Sequence, residues 1–354
     1  MRITNTMMVN TLNRNIFGNL TRMDTLQNQL ATGRQFANIS DDPLALIYSQ
    51  SARNTINRIN NFARSVHTAQ DWLTQAEDGI MEMQRTMVDL YELAVQASND
   101  TKGTGDESDK RNIAPAVRQL TQNVVDTLNS TFGNRFLFGG FNTPGDRPAN
   151  YPDEHLRPFT VADCPDAGVP ALFLNGRSLH ALEGMTWQDF QTALAPPGGE
   201  FSGLIDVKTL DVGPGIEMPI SVNGIELAFF RTPDPDNPGG FIMRSVWSVA
   251  NDLYEKTSRG APAYEVMQSI RPLQDAQNHL LTETADIGGR IRRLELLEAR
   301  YEQNAINFER MRSNAEDVDF AETIMHFRMA EAVYQAALSA GARIIQPTLM
   351  DFLR

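Results

Sequence analysis

The sequence predicts a mainly α protein with a β-containing insert, its N- and C-terminal segments forming a long antiparallel coiled-coil or bundle trunk. Three observations predict it. Apolar residues recur alternately three and four apart over long stretches near both ends of the chain, the spacing of a seam on one helix face. One of those stretches holds its phase from Pro43 to about Asn99, roughly 80–85 Å of helix at 1.5 Å per residue, too long for an ordinary globular domain. Between about residues 141 and 249 the pattern gives way to proline, glycine pairs and short alternating runs.

The first helix carries Val9, Leu12, Ile16, Asn19, Met23, Leu26 and Leu30 in heptad phase. The stretch QLATGRQFANISDDPLAL stops it: Gly33 suits a left-handed C-cap, and Asp42-Pro43 is a helix start, with the aspartate capping and the proline where no amide hydrogen is needed. The trunk helix follows through Ala45, Tyr48, Ala52, Ile59, Val66, Leu73, Ile80, Met83, Met87, Leu90 and Ala97, and ends in the polar turn Asn99–Gly105. A helix from about Ser108 presents Ile113, Val117, Leu120, Val124 and Leu128 on one face and stops near Gly133. In the insert, Ala171–Leu174, Ile205–Val207 and Met218–Phe230 read as β, and Asn223-Gly224 inside PISVNGIELAFF predicts a hairpin. Helix returns at Val246–Tyr254 and from Tyr264, with a heptad through Ile287, Leu294, Leu297, Tyr301, Phe308, Met311 and Val318. After Asp319-Phe320 the phase slips into a last stripe of Ile324, Phe327, Tyr334, Leu338, Gly341 and Ile345, with Pro347 weakening only the end.

Composition excludes several functions. A formal net charge of -13 over 354 residues argues against nucleic acid or an anionic membrane as a partner. Lysine occurs only at 102, 110, 208 and 256, so arginine supplies nearly all positive charge, and its planar fork suits fixed contacts with carboxylates between helices. The single cysteine, Cys164, permits neither an intrachain disulfide nor a cysteine metal cage. No apolar run is long enough to span a bilayer, and the asparagine-rich start lacks the apolar centre of a secretory signal, so export would need a route that reads no such signal.

No phosphate-loop, dinucleotide or nucleophile-elbow motif occurs, and the five histidines lack ligand spacing. Asp234–Gly239 resembles half a calcium loop, but proline holds the third ligand position and no glutamate closes the frame, so a surface turn is expected. Neither catalytic residues nor cofactor or metal sites are expected. The terminal stripes are the candidate functional residues. They either pack on each other within one chain or wait for neighbouring copies, because two helices cover their seams less well than four.

Several motifs, in order, carry a resemblance: Met1–Thr4; Gln27–Gly33 running into Ser40–Pro43; Tyr91–Ala97 with Asn99–Thr101; Asn134–Gly140; Arg293–Glu295; Asp317–Glu322; and Tyr334–Leu338. Over roughly residues 1–143 and 285–354 the chain resembles the flagellar hook-associated proteins of the hook–filament junction, relatives of flagellin. Flagellin typically has Asp-Asp-Ala-Ala-Gly where this chain has Asp-Asp-Pro-Leu-Ala, which favours the junction protein over the filament subunit. Cys164 and Pro347-Thr348 depart from the family pattern.

The resemblance implies a flagellin-like fold and a non-enzymatic structural adaptor that is exported unfolded through the flagellar type III apparatus to the extracellular flagellum. A cytoplasmic chaperone would hold its C-terminal region. The chain would then form a ring of identical subunits between the adjacent hook-associated junction protein and the first flagellin subunits. Residues 1–42 and 319–354 would be the axial assembly helices, unordered before assembly; 43–140 and 250–318 the trunk; and 141–249 an outward-facing variable domain. Val9, Leu12, Ile16, Met23, Leu26, Leu30, Ile324, Phe327, Tyr334, Leu338 and Ile345 would form the assembly interface, and Gly33, Ser40, Asp41, Asp42 and Pro43 an inter-subunit loop. The rival readings are a flagellin filament subunit and a secreted protein whose insert binds or cleaves something.

Overall fold

The computed structural model describes residues 5–36, 38, 40–99, 107–133, 135–140, 157–164, 168–195, 201, 207–234, 237 and 239–344. Eight α-helices, α1 (Asn5–Thr32), α2 (Pro43–Ser98), α3 (Glu107–Leu128), α4 (Trp187–Leu194), α5 (Gly224–Ala228), α6 (Val246–Ser258), α7 (Ala263–Glu316) and α8 (Phe320–Ile344), carry most of the described chain. It packs as two compact units, residues 1–61 with 301–354 and residues 62–300.

In the second unit the heptads have their expected partners. Val66, Leu73, Ile80, Met83, Met87 and Leu90 of α2 are fully buried, as are Val117, Val124 and Leu128 of α3, Val249 and Leu253 of α6, and Leu273, Leu280 and Leu294 of α7. Gln277 Nε2 donates to the Met87 carbonyl oxygen at 3.0 Å and Gln70 Nε2 to Glu298 Oε2 at 2.9 Å, fixing α2 and α7 as antiparallel neighbours. Asn123 Nδ2 donates to Thr86 Oγ1 at 3.0 Å, so α3 joins the same bundle. Each fully buried aliphatic side chain contributes about 1.5–3 kcal/mol, and the repetition of such seams holds the bundle together.

The β elements are small and antiparallel. β1 (Thr131–Phe132) pairs with β2 (Arg135–Phe136), and β3 (Phe159–Asp163), β4 (Pro170–Leu174) and β5 (Arg177–Ser178) form a three-stranded sheet. β6 (Thr209–Gly213) pairs with β7 (Ile216–Pro219), and β8 (Phe229–Pro233) with β9 (Phe241–Ser245). Phe138, Phe159, Phe201 and Phe230 are buried among them.

Asn223-Gly224 does not turn a hairpin. Asn223 instead caps α5, its side chain accepting from the Ile225 amide at 3.0 Å, and the strand begins only at Phe229. Close approach explains the glycine: a Cβ at Gly224 would lie 2.2 Å from the Phe138 carbonyl oxygen. Of the strand expected at Ile205–Val207, residues 205 and 206 lie outside the described residues and Val207 is not in a strand; β6 runs Thr209–Gly213. Asp234 and Asn237 close a turn through backbone bonds with Gly240, of 3.0 and 2.9 Å, with no metal-ligand grouping among the described residues.

Candidate assembly surface

The first unit joins α1 to α8 with the starts and ends of the trunk helices. α1 and α8 run antiparallel: Asn19 Nδ2 donates to the Ala330 carbonyl oxygen at 2.8 Å, and Leu12 lies so close to Gly341 that a Cβ there would be 2.7 Å from Leu12 Cδ2. Val9, Leu12, Ile16, Asn19, Met23, Leu26 and Leu30 are half-buried on one face of α1. None of them, and no other apolar residue among those described in α1, reaches the burial of the α2 seam in the second unit. On α8 the face meeting α1 is Thr323, Phe327, Ala330, Tyr334, Ala337 and Gly341. Of the expected α8 stripe, Phe327, Tyr334 and Gly341 are on this face, Ile324 and Leu338 are exposed on its flank, and Ile345 lies outside the described residues.

What remains uncovered is apolar. Met7, Phe17 and Leu20 of α1 are exposed, Phe17 to 68%. On α8, Phe320, Ile324 and Leu338 form one exposed flank, and Met325, Met329 and Val333 another, at i, i+4 and i+8. Two exposed apolar flanks beside a covered face are more than a single packed partner occupies, and among the described residues α8 has one covered face.

The segment between α1 and α2 is built from local rules. Gly33 takes φ +71°, the left-handed conformation of a helix terminus, and its amide donates to the Gln29 carbonyl oxygen at 2.8 Å. Asp42 Oδ1 accepts from the amides of Leu44 and Ala45, both at 3.0 Å, with Pro43 at the first helical position. Asp41 Oδ2 accepts from the Asn38 amide at 2.9 Å, and Ser40 is exposed.

The same segment is tied to the α7–α8 junction. The Gln35 amide donates to the Glu316 carbonyl oxygen at 2.7 Å and the Val318 amide to the Gly33 carbonyl oxygen at 3.0 Å, flanking a bridge between Arg34 and Asp317. Beneath it lies Glu316, only 3% exposed. Its carboxylate accepts from Ser49 Oγ at 2.7 Å, pairs with Arg34 Nε at 2.8 Å, and accepts from Arg53 through two guanidinium nitrogens. Burial alone would push the carboxyl of Glu316 up; hydrogen bonds from Arg53 and Ser49, with the charges of Arg53 and Arg34, outweigh it and hold the group below its ordinary value. Nothing in the heptad pattern marks Glu316, and only the clustering of arginine around a helix end could have signalled it.

The second unit holds an open cleft of about 690 Å³, lined by Trp187, Phe190, Phe230, Glu226, His279 and Glu283 among others. Burial holds the His279 imidazole below its usual range, and its Nε2 lies 2.9 Å from the Glu226 carbonyl oxygen. Burial raises the carboxyls of Glu226 and Glu283. Asp275 also lines the cleft, and its Oδ2 accepts from Thr232 Oγ1 at 2.9 Å. Glu183, also raised by burial, caps α6 with bonds from the Ser245 amide and Ser248 Oγ, both at 3.1 Å, a structural role. Among the described residues no helix is long and apolar enough to cross a membrane.

Comparison with known proteins bears on the same helices. The bacterial flagellin N-terminal helical region matches residues 3–143. Flagellar hook-associated protein 3 of Escherichia coli K12 is 25% identical over 321 residues, covering 88% of this chain and 87% of that protein. The crystal structure of FlgL from Xanthomonas campestris aligns with a TM-score of 0.54 at 15% identity, over 74% of this chain and 99% of that one. The flagellar junction protein FlgL from Legionella pneumophila aligns with a TM-score of 0.53 at 12% identity, over 76% and 100%.

Proposed function

From a chain that is a flagellar hook-associated protein of the flagellin-like family, a structural component of the extracellular flagellum, we propose a non-enzymatic adaptor at the hook–filament junction. Copies form a ring between the adjacent hook-associated junction protein and the first flagellin subunits. The observation that carries this reading is the unequal covering of equal heptads. Val66 to Leu90 on α2 are sealed within one chain, whereas Val9 to Leu30 on α1 are half wet and α8 exposes Phe320, Ile324, Met325, Met329, Val333 and Leu338. Large apolar patches rimmed by polar residues are association sites. The partner best matched to a helix pair of this kind is another copy of the same pair, packed round a tube.

In this reading α1 and α8 gain their remaining cover, and with it most of their stability, on assembly. Val9, Leu12, Ile16, Met23, Leu26, Leu30, Ile324, Phe327, Tyr334, Leu338 and Ile345 belong to that interface. Ser40, Asp41, Asp42 and Pro43, exposed between the two helices, meet the adjacent subunit, and Gly33 sets the exit angle. The domain at 141–249 faces outward. Export runs unfolded through the flagellar type III channel, with a cytoplasmic chaperone on the C-terminal region.

Deleting the gene tests the role. Cells that build hooks but shed flagellin monomers into the medium support the junction assignment; cells that still carry filaments overturn it. Purified protein that polymerises alone into long filaments would point to a filament subunit instead.

A further inference from the structure

The joint under the loop holds more guanidinium N–H donors than its own contacts use. A cleft of about 390 Å³ in the first unit is lined by Thr32, Gly33, Ile56 and Asn57 and by three guanidinium groups, Arg34, Arg53 and Arg312, beside Glu316 and Asp317. Glu316 serves Arg34 and Arg53 at once. Among the described residues Arg312 pairs with Glu309, one helical turn away on a half-exposed face, at 2.6 Å. A guanidinium carries five N–H donors in a planar fork. Among the described residues, the terminal nitrogens of Arg34 and one terminal nitrogen each of Arg53 and Arg312 have no recorded acceptor.

Such unused forks converging on a hollow match a carboxylate, which takes them two N–H groups at a time. We infer that this cleft is a subunit-to-subunit contact, accepting an aspartate or glutamate side chain from a second copy of the chain. Charge complementarity favours that occupant. The chain has 44 acidic residues against 31 basic ones, so a neighbouring copy offers carboxylates in excess. Gly33 and Arg34, which line the cleft, belong to the same α1–α2 connection as the exposed Ser40–Pro43. The interface thereby gains a polar contact that fixes register, which the apolar stripes of α1 and α8 alone leave free to slide. This inference rests on the ring reading above.

The test places an amine in the cleft. Arg312→Lys, and separately Arg34→Lys, are introduced in the full chain as the sole copy in the cell, and isolated flagella are treated with a zero-length carbodiimide, which joins an amine to a carboxylate only in contact. The expected result is a dimer band at least threefold stronger than in wild type, whose four native lysines lie elsewhere in the sequence, with the linked peptide joining position 312 or 34 to an Asp or Glu of a second copy. Links confined to Glu309, Glu316 or Asp317 of the same chain, or no link, overturn the inference while leaving the ring reading standing. A link to a different flagellar protein overturns the choice of occupant. Saturable binding of inorganic phosphate to the purified chain, without any dimer, would make the cleft a small-anion site. Absence of the chain from the isolated flagella removes the ring reading itself, and the inference with it.

Discussion

Leu338→Asp separates the two possible uses of the α8 stripe. Leu338 is 46% exposed on the flank of α8, whereas Met83 in the α2 seam is 0% exposed. Full burial of a leucine contributes about 1.5–3 kcal/mol, so roughly half, about 0.7–1.5 kcal/mol per copy, is still to be gained by covering it. In the free chain the substitution forfeits at most the half already covered, about 0.8–1.5 kcal/mol, well short of a core substitution. In an assembled interface the carboxylate must be desolvated, adding several kcal/mol per copy. The ratio of assembled to free chain should then fall by more than a hundredfold, since each 1.4 kcal/mol is a factor of ten. Circular dichroism melts of the purified chain and counts of filament-bearing cells read the two effects separately. A melt lowered by no more than that small amount, with filaments lost, agrees with the reasoning. A drop in Tm as large as that of a core substitution would refute it, because Leu338 would then belong to the interior of a single chain.

Three further outcomes follow from the same geometry. Met83→Ala should destabilise the second unit by about 2–5 kcal/mol, read as a lower denaturant midpoint, because the side chain is sealed between helices. Gly33→Val should cost about 1–2 kcal/mol or more, since φ +71° strains any β-branched residue, and the loss should appear in exchange of α1 amides before those of the α2 seam. Glu316 titrates below its ordinary value of 4.5, so its folded-state pKa is depressed. The stability it contributes is present above about pH 4.5 and is lost as pH falls through the lowered value; Glu316→Gln should flatten that acid loss in urea melts of the first unit.

Local chemistry in the sequence is a good guide where a single residue decides. Gly33 and Asp42-Pro43 end and start helices because φ, a missing amide hydrogen and one carboxylate oxygen are enough. Heptads predicted helix and seam equally well at Val9–Leu30 and Val66–Leu90, yet periodicity says only which face is apolar, not what covers it. That difference is tertiary. On α8 three faces carry apolar residues, so periodicity alone does not select the covered one through Phe327, Tyr334 and Gly341, and the small Ala330 and Ala337 that share it give little hydrophobic signal. At Asn223-Gly224 a short-range turn signal met a longer-range demand, the carbonyl of Phe138, and the demand won. The clamp at Glu316 gathers residues from 34, 49, 53 and 316, a separation no local pattern records.

The central claim, that α1 and α8 find their cover between chains, is tested most directly by amide hydrogen exchange on the same protein free in dilute solution and within isolated flagella. The free chain should protect residues 66–97 of α2 strongly and the amides of α1 and α8 weakly, with α1 and α8 rising to the level of α2 after assembly. Protection of α1 and α8 in the free chain as strong as that of the α2 seam would contradict it.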